Sequence, residues 1–266
     1  MVNASLDNKN TEENRLIAVR YRPSVAPQSR PVQWSGELPV DLEAIDAVPG
    51  RDREYVALAG RGTAYCIHVE KGTAHVLSTF QLPGISADGN YEGFALTATK
   101  DGTVAVWADR GEDDRPAKLT AAQWDPATNA FGHRDSAEFS APYPENDVRH
   151  VSDVKVSASG ALTVSSASDP GDDGPFGSAL YDIGQISVGK DGDAKVSLAD
   201  QPHRLGTFSG HKVEAVVCLP GSKEGILGTD DEKDGGSIAA VELCRPNSVV
   251  RERPTGGQSA ADERSL

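Results

Sequence analysis

The chain has 266 residues, a formal net charge of −14, 27 glycines and 16 prolines. Such acidity argues against nucleic acid as a partner, because phosphate binding needs a basic surface. No apolar run approaches the ~18 residues of a membrane-spanning helix, and the polar N-terminus lacks the apolar core of a secretory signal. We therefore expect a cytoplasmic protein that binds neither a membrane nor nucleic acid.

Three cysteines lie in apolar, strand-like runs: Cys66, Cys218 and Cys244. Three thiols cannot all pair within one chain, and the cysteines of cytoplasmic proteins are commonly buried and reduced. The sequence therefore predicts buried free thiols.

The ends of the chain are polar, and the apolar runs lie between them. We predict a disordered tail, a single domain and a second disordered tail over residues 1–13, 14–245 and 246–266. The first strand candidate is Leu16–Tyr21, and a proline-rich link then leads to a short strand around Trp34.

A pattern of two apolar runs recurs four times. An acidic residue opens a short apolar run, a glycine-containing turn follows, and a second apolar run ends in a polar loop, most clearly in Gly89–Gly111. The opening acids are Glu43, Glu92, Asp153 and Glu214. They lie 49, 61 and 61 residues apart. Repeats of this period, built from short strands, predict an all-β fold of the β-propeller type.

The number of repeats predicts four blades of four antiparallel strands, with five or six blades as the alternative. An aromatic residue precedes each opening acid: Trp34, Phe80, Phe139 and Phe208. If this aromatic marks the outermost strand of a blade, the strand around Trp34 belongs to the blade that begins at Glu214. Closing the ring with an N-terminal strand in this way would remove free sheet edges.

The innermost strand of each propeller blade lines the central channel, so Glu43, Glu92, Asp153 and Glu214 are expected to meet at one mouth. Clustered carboxylates repel and raise one another's pKa, so such a ring requires a cation, a basic partner or shared protons. Oxygen ligands suit Ca²⁺, which we expect before Mg²⁺. Alternatively, the acids bond to backbone N–H groups or to cationic side chains such as Arg149 or Lys212.

Candidate catalytic residues lie near the same mouth. His150 and His211 each precede an opening acid by three residues and could act as general bases or metal ligands. Asp109 follows the second strand of its repeat, in a loop that should return to the mouth. Solvated loop residues without a catalytic role are the alternative for all three.

The segments NYEGFAL…DGTVAVWADRG and KVEAVVCLPG…EGILGTDDEKDGGSI resemble the phytase-like and SdiA-regulated propeller proteins over about residues 36–245. A looser similarity is to gluconolactonase-like propellers. This resemblance implies a divalent cation on the channel axis, held by Glu92, Glu214 and Glu43.

Two functions follow as expectations. The first is a metal-dependent hydrolase of a small ester, lactone or phosphoester, in which the cation polarises the bond and His150 or His211 activates water. The second is a non-catalytic propeller that presents one rim to a protein or a small ligand. An open metal site would favour the enzyme, and a channel plugged by arginine would favour the binding module.

Overall fold

The computed structural model describes residues 2–5, 15–22, 25–219 and 222–244. These residues form an all-β protein whose four sheets are arranged in a ring, so the predicted four-bladed β-propeller is confirmed. Within the described ranges there is no α-helix, only the 3₁₀ turn Glu232–Asp234. No helix there is long and apolar enough to cross a membrane.

Each blade is an antiparallel sheet whose strands follow the chain. Blade 1 contains β4 (Leu42–Ala47), β5 (Glu54–Ala59), β6 (Thr63–Glu70) and β7 (Thr73–Gln81). Blade 2 contains β8 (Tyr91–Thr99), β9 (Gly102–Asp109), β10 (Ala117–Asp125) and β11 (Ala130–Phe139). Blade 3 contains β12 (Val148–Val156), β13 (Ala161–Ser168), β14 (Gly177–Val188) and β15 (Ala194–Ser209). Blade 4 contains β16 (Val213–Cys218), β17 (Gly225–Asp230) and β18 (Gly236–Val241).

The turns between strands use glycine where the backbone requires it. Gly160, between β12 and β13, has a φ of 86°, and a Cβ at this position would lie 2.3 Å from the carbonyl oxygen of Ile186. Only glycine combines this backbone conformation with so close an approach. The glycine turns found in the sequence therefore mark real strand reversals.

Apolar clusters join each blade to the next. They bury Leu58 with Trp107 between blades 1 and 2, Val106 with Val164 between blades 2 and 3, and Leu180 with Leu227 between blades 3 and 4. The innermost strands β4, β8, β12 and β16 contact one another in that order. Their first residues consequently face a common channel mouth.

The predicted closure of the ring is wrong. The N-terminal unit, which comprises β1 (Val2–Ser5), β2 (Leu16–Arg22) and β3 (Val25–Ser35), extends blade 1. β3 runs parallel to β7, with Trp34 opposite Ala74. Blade 4 has three strands among the described residues, and Trp34 is not in its sheet.

The N-terminal unit joins blade 1 because it covers an apolar face there. Leu16 and Val32 are buried against Ala57 and Ile67 of blade 1. β1 also lies inside the predicted disordered tail 1–13, so that tail is not wholly without structure. The second predicted tail, 246–266, lies outside the described residues.

Two of the three cysteines pair, so the prediction of three free thiols is wrong. Cys218 and Cys244 form a disulfide that ties the end of β16 to the chain beyond β18. Cys66 is buried as a free thiol. Disulfides are typical of oxidising compartments, and a cytoplasmic location remains a prediction.

Candidate functional site

Three glutamates occupy the same place in three blades. The ladder of β4 and β5 steps from Leu42 opposite Ala59 to Ala44 opposite Leu58, so the register skips Glu43. Glu92 and Glu214 are left out of the ladders of blades 2 and 4 in the same way. A one-residue bulge bends the strand and re-aims the side chain. Each of these glutamates therefore projects toward the channel mouth.

The equivalent residue of blade 3 is Arg149. In each blade a backbone N–H after the second strand donates to a carbonyl just before the innermost strand; the acceptors are Asp41, Asn90, Asp147 and Lys212. The residue two positions beyond each acceptor is Glu43, Glu92, Arg149 and Glu214, respectively. The ring at the mouth thus contains three carboxylates and one guanidinium.

Asp153 was predicted to belong to this ring, and the structure places it elsewhere. The ladder of blade 3 breaks between Arg149 and Asp153, so the aspartate lies further along β12. Its Oδ2 accepts from Val216 N of blade 4 at 2.8 Å, and its Oδ1 accepts from Val154 N at 2.7 Å. Asp46 of blade 1 accepts from Leu96 N of blade 2 in the same manner. These carboxylates join neighbouring blades.

Asp153 is paired with Lys155 of the same strand. The Lys155 Nζ lies 3.4 Å from Asp153 Oδ1. Burial raises the pKa of Asp153 to about 6, against the opposing effect of Lys155. Burial alone would lower the pKa of Lys155, but the charges of Asp153 and Asp46 raise it overall.

A pocket of about 320 Å³ opens at the mouth of the channel. Its lining consists of eight carboxylates, five cationic side chains and Asn90, and includes Glu43, Glu92, Arg149 and Glu214. Carboxylates outnumber cations, so the pocket is acidic but not uniformly so. A lining of this kind binds charged or strongly polar groups rather than apolar ones.

Arg149 crosses the mouth from blade 3. Its Nη1 lies 3.3 Å from Oε1 of Glu92 and 3.3 Å from Oε1 of Glu214, and its Nη2 contacts Asp169. Arg110 reaches Glu92 Oε1 at 3.0 Å. Glu92 and Glu214 are therefore paired with protein cations, as the alternative prediction had it.

Glu92 and Glu214 both have raised pKa values. Burial raises the pKa of Glu214 to about 8 although Lys212 and Arg149 oppose the shift, and the charge of Glu92 adds to it. Burial also raises the pKa of Glu92, which is 3% exposed. The Lys212 ammonium lies 3.3 Å from Glu214 and also contacts Glu232. The mouth is a dense network of opposite charges in a site largely shielded from water.

The predicted catalytic histidines do not line this pocket. His150 is buried, its Nδ1 accepts from Ala141 N at 3.0 Å, and its Nε2 lies 2.7 Å from the carbonyl oxygen of Asp113. Both ring nitrogens are thus engaged by backbone, which leaves neither available to activate water. His211 is half-exposed and its Nδ1 lies 2.8 Å from Asp231 Oδ2.

Asp109 also has structural partners. Its Oδ1 accepts from Gly111 N at 3.0 Å and from Arg115 at 2.9 Å. The first bond fixes the loop that follows β9, and the second positions Arg115, which does line the pocket. Asp109 therefore acts on the mouth through Arg115.

The predicted calcium ion at the mouth stays a prediction. No group of three potential metal ligands is found in the part of the chain that the structure describes. Oε1 of Glu92 is bonded to Arg110 and Arg149, and Oε1 of Glu214 is bonded to Arg149 and Lys212. A divalent ion at these two oxygens would compete with the three cationic side chains.

Sequence reasoning named Arg149 only as a possible counter-ion and missed Arg115, which also lines the pocket. Arg149 lies two residues after Asp147, which is the position that the glutamates occupy in the other three blades. A search for repeated acidic residues does not find an arginine at this position. Comparison of the chain with protein-family models and with curated proteins found no match. The resemblance to phytase-like and SdiA-regulated propellers accordingly remains a prediction.

Proposed function

We propose that this protein is a non-catalytic β-propeller that binds a small charged ligand at the mouth of its channel. The observation that supports the proposal is the position of Arg149, which pairs with both Glu92 and Glu214 at the mouth. The predicted metal ligands are thus bonded to a protein cation, and neither predicted catalytic histidine lines the pocket. This arrangement leaves a polar pocket large enough for a small molecule.

A binding assay tests the proposal. Purified protein is titrated calorimetrically with polyamines, free amino acids, dicarboxylates and sugar phosphates. We expect one class to bind, and Glu214→Gln to weaken that binding, because Glu214 lines the pocket. Asp101→Asn, in the β8–β9 turn at the opposite end of blade 2, is the matched control and should bind normally. Equal binding by both variants would place the ligand outside this pocket.

The metal-dependent hydrolase is tested alongside. The protein is incubated with lactones, aryl esters and phosphoesters, with and without added Ca²⁺ and with a chelator. We expect no turnover above that of the Glu92→Gln variant. If turnover requires the ion and is lost both with the chelator and in the variant, the protein is a metal-dependent hydrolase and the proposed binding function is wrong.

A further inference from the structure

The charges that line the pocket are unevenly distributed around the ring. Blade 4 contributes three carboxylates and one ammonium group: Asp230, Glu232, Glu214 and Lys212. Blades 2 and 3 contribute three guanidinium groups and two carboxylates: Arg110, Arg115, Arg149, Glu92 and Glu112. Blade 1 and the link that follows it add three carboxylates and one guanidinium group: Asp41, Glu43, Asp88 and Arg61. The walls formed by blades 1 and 4 are thus net negative, and the wall formed by blades 2 and 3 is net positive. One side of the pocket therefore attracts cationic groups, and the other side attracts anionic groups.

Polar atoms beside the pocket also lack partners. Oε2 of Glu92, Nε of Arg110 and Nε of Arg149 are buried without a hydrogen bond. Almost all buried polar atoms of native proteins are bonded to protein, water or ligand. One acceptor and two donors thus remain to be satisfied around a single pocket. A bound polar molecule, with the side-chain shifts that it brings, or ordered water would supply these contacts.

We infer that the ligand is a small zwitterion that carries both a protonated amine and a carboxylate, as a free amino acid does. The amine lies against the carboxylates of blade 4, and the carboxylate lies against the arginines of blades 2 and 3, where guanidinium forks suit its geometry. This inference rests on the proposed function. The pocket of about 320 Å³ has room for a free amino acid, and its charged lining favours a polar side chain.

The test compares an amino acid with its two half-blocked forms. Polar L-amino acids are titrated calorimetrically into the full chain, and each that binds is followed by its N-acetyl derivative and its amide. The N-acetyl form lacks the ammonium charge, and the amide lacks the carboxylate. We expect each half-blocked form to bind at least about tenfold more weakly, because a buried charged group then loses its partner.

Two variants test which wall of the pocket binds the amine of the ligand and which binds its carboxylate. Asp230→Asn on blade 4 should remove the preference for the free amine and leave the preference for the carboxylate. Arg115→Gln, which alters a half-exposed side chain of blade 2, should do the reverse. Asp101→Asn serves as the control for both, and thermal melts of all three variants check that they fold.

The outcomes separate this inference from the proposed function. If a singly charged ligand binds at Glu214 and no amino acid does, the zwitterion is wrong and the binding module stands. If an amino acid binds but both half-blocked forms bind equally well, the two-wall assignment is overturned. If nothing in either panel binds, ordered water satisfies the three buried atoms, and both proposals fail.

Discussion

Arg149 replaces one carboxylate in a ring that would otherwise carry four, and this single exchange changes the chemistry of the mouth. Four carboxylates at close range would repel one another and retain protons or recruit a cation. With a guanidinium in the ring, Glu92 and Glu214 share one positive partner, and Arg110 and Lys212 supply further charge. The protein thereby provides its own counter-ions.

Removing Arg149 should be costly because its partner Glu92 is buried. We expect Arg149→Met to lower the free energy of unfolding by about 3–5 kcal/mol, since Glu92 would lose one of its partners inside the protein. Urea denaturation measures this loss. Arg51→Met is the matched control: its ion pair with Glu54 is exposed at the surface and should contribute less than about 1 kcal/mol. Equal losses for the two variants would show that the Arg149 network does not stabilise the fold.

Asp153 makes stability depend on pH. Its pKa rises from 3.8 to about 6 on folding. Between about pH 4 and 6, Asp153 therefore keeps its proton in the folded state and has lost it in the unfolded state. The resulting stabilisation is greatest below pH 4 and is lost as the pH rises to 6. At about 1.4 kcal/mol per pKa unit, the change is about 3 kcal/mol.

The comparison is with Asp153→Asn, which cannot titrate. From pH 4 to pH 6 the native chain should lose stability relative to this variant. Above pH 6 the difference in unfolding free energy between the two should stay constant. Urea melts at half-unit pH steps would reveal it. A difference that is constant over this range, or that grows with pH, would contradict the raised pKa and show that Lys155 holds the carboxylate ionised.

At the scale of elements, the innermost strands were well predicted but their alignment was not. Alternating apolar residues and glycine turns identify β4, β8, β12 and β16 because strand formation depends on local sequence. The bulges that aim Glu43, Glu92 and Glu214 leave no comparable signal. In blade 3 the bulge is wider, so Asp153 matches the others in sequence while Arg149 matches them in space.

The disulfide was missed for a related reason. Cys218 and Cys244 each lie in an apolar run, as buried free cysteines do, and only the return of the chain after β18 to the end of β16 brings them together. The parallel pairing of β3 with β7 spans three residue pairs, too few to produce a sequence pattern. Contacts between segments that are distant in the sequence depend on how the strands pack, and the pattern of a single sequence does not reveal that packing.

The Cys218–Cys244 disulfide should stabilise blade 4. The cysteines are 26 residues apart, and closing a loop of that size in the unfolded chain is worth about 3 kcal/mol. We expect the double variant Cys218→Ser, Cys244→Ser to lose about this much in urea denaturation. In denaturant without reductant, thiol titration of the native chain should detect Cys66 alone. Three reactive thiols in protein purified without reductant would show that the bond does not form.

On the scale of the whole molecule, the ring is not symmetric, because the N-terminal unit packs on blade 1 rather than completing blade 4. Blade 1 is thereby enlarged to a seven-stranded sheet. Its second apolar face is buried by Leu16 and Val32, in the way that neighbouring blades bury one another elsewhere in the ring. The N-terminal unit is therefore part of the core of the protein and not an appendage.

This role makes Leu16 a sharp test of the fold, because Leu77 lies in the same sheet as a matched control. Leu16 is 0% exposed and Leu77 is 55% exposed. Truncating a buried leucine costs about 2–5 kcal/mol, since apolar contacts are lost and a cavity remains. We expect Leu16→Ala to lose stability in this range in urea denaturation, and Leu77→Ala to change it by less than about 0.5 kcal/mol. If Leu16→Ala is as stable as Leu77→Ala, the N-terminal unit does not pack on blade 1, and completion of blade 4 by the strand around Trp34 again becomes the better explanation of how the ring closes.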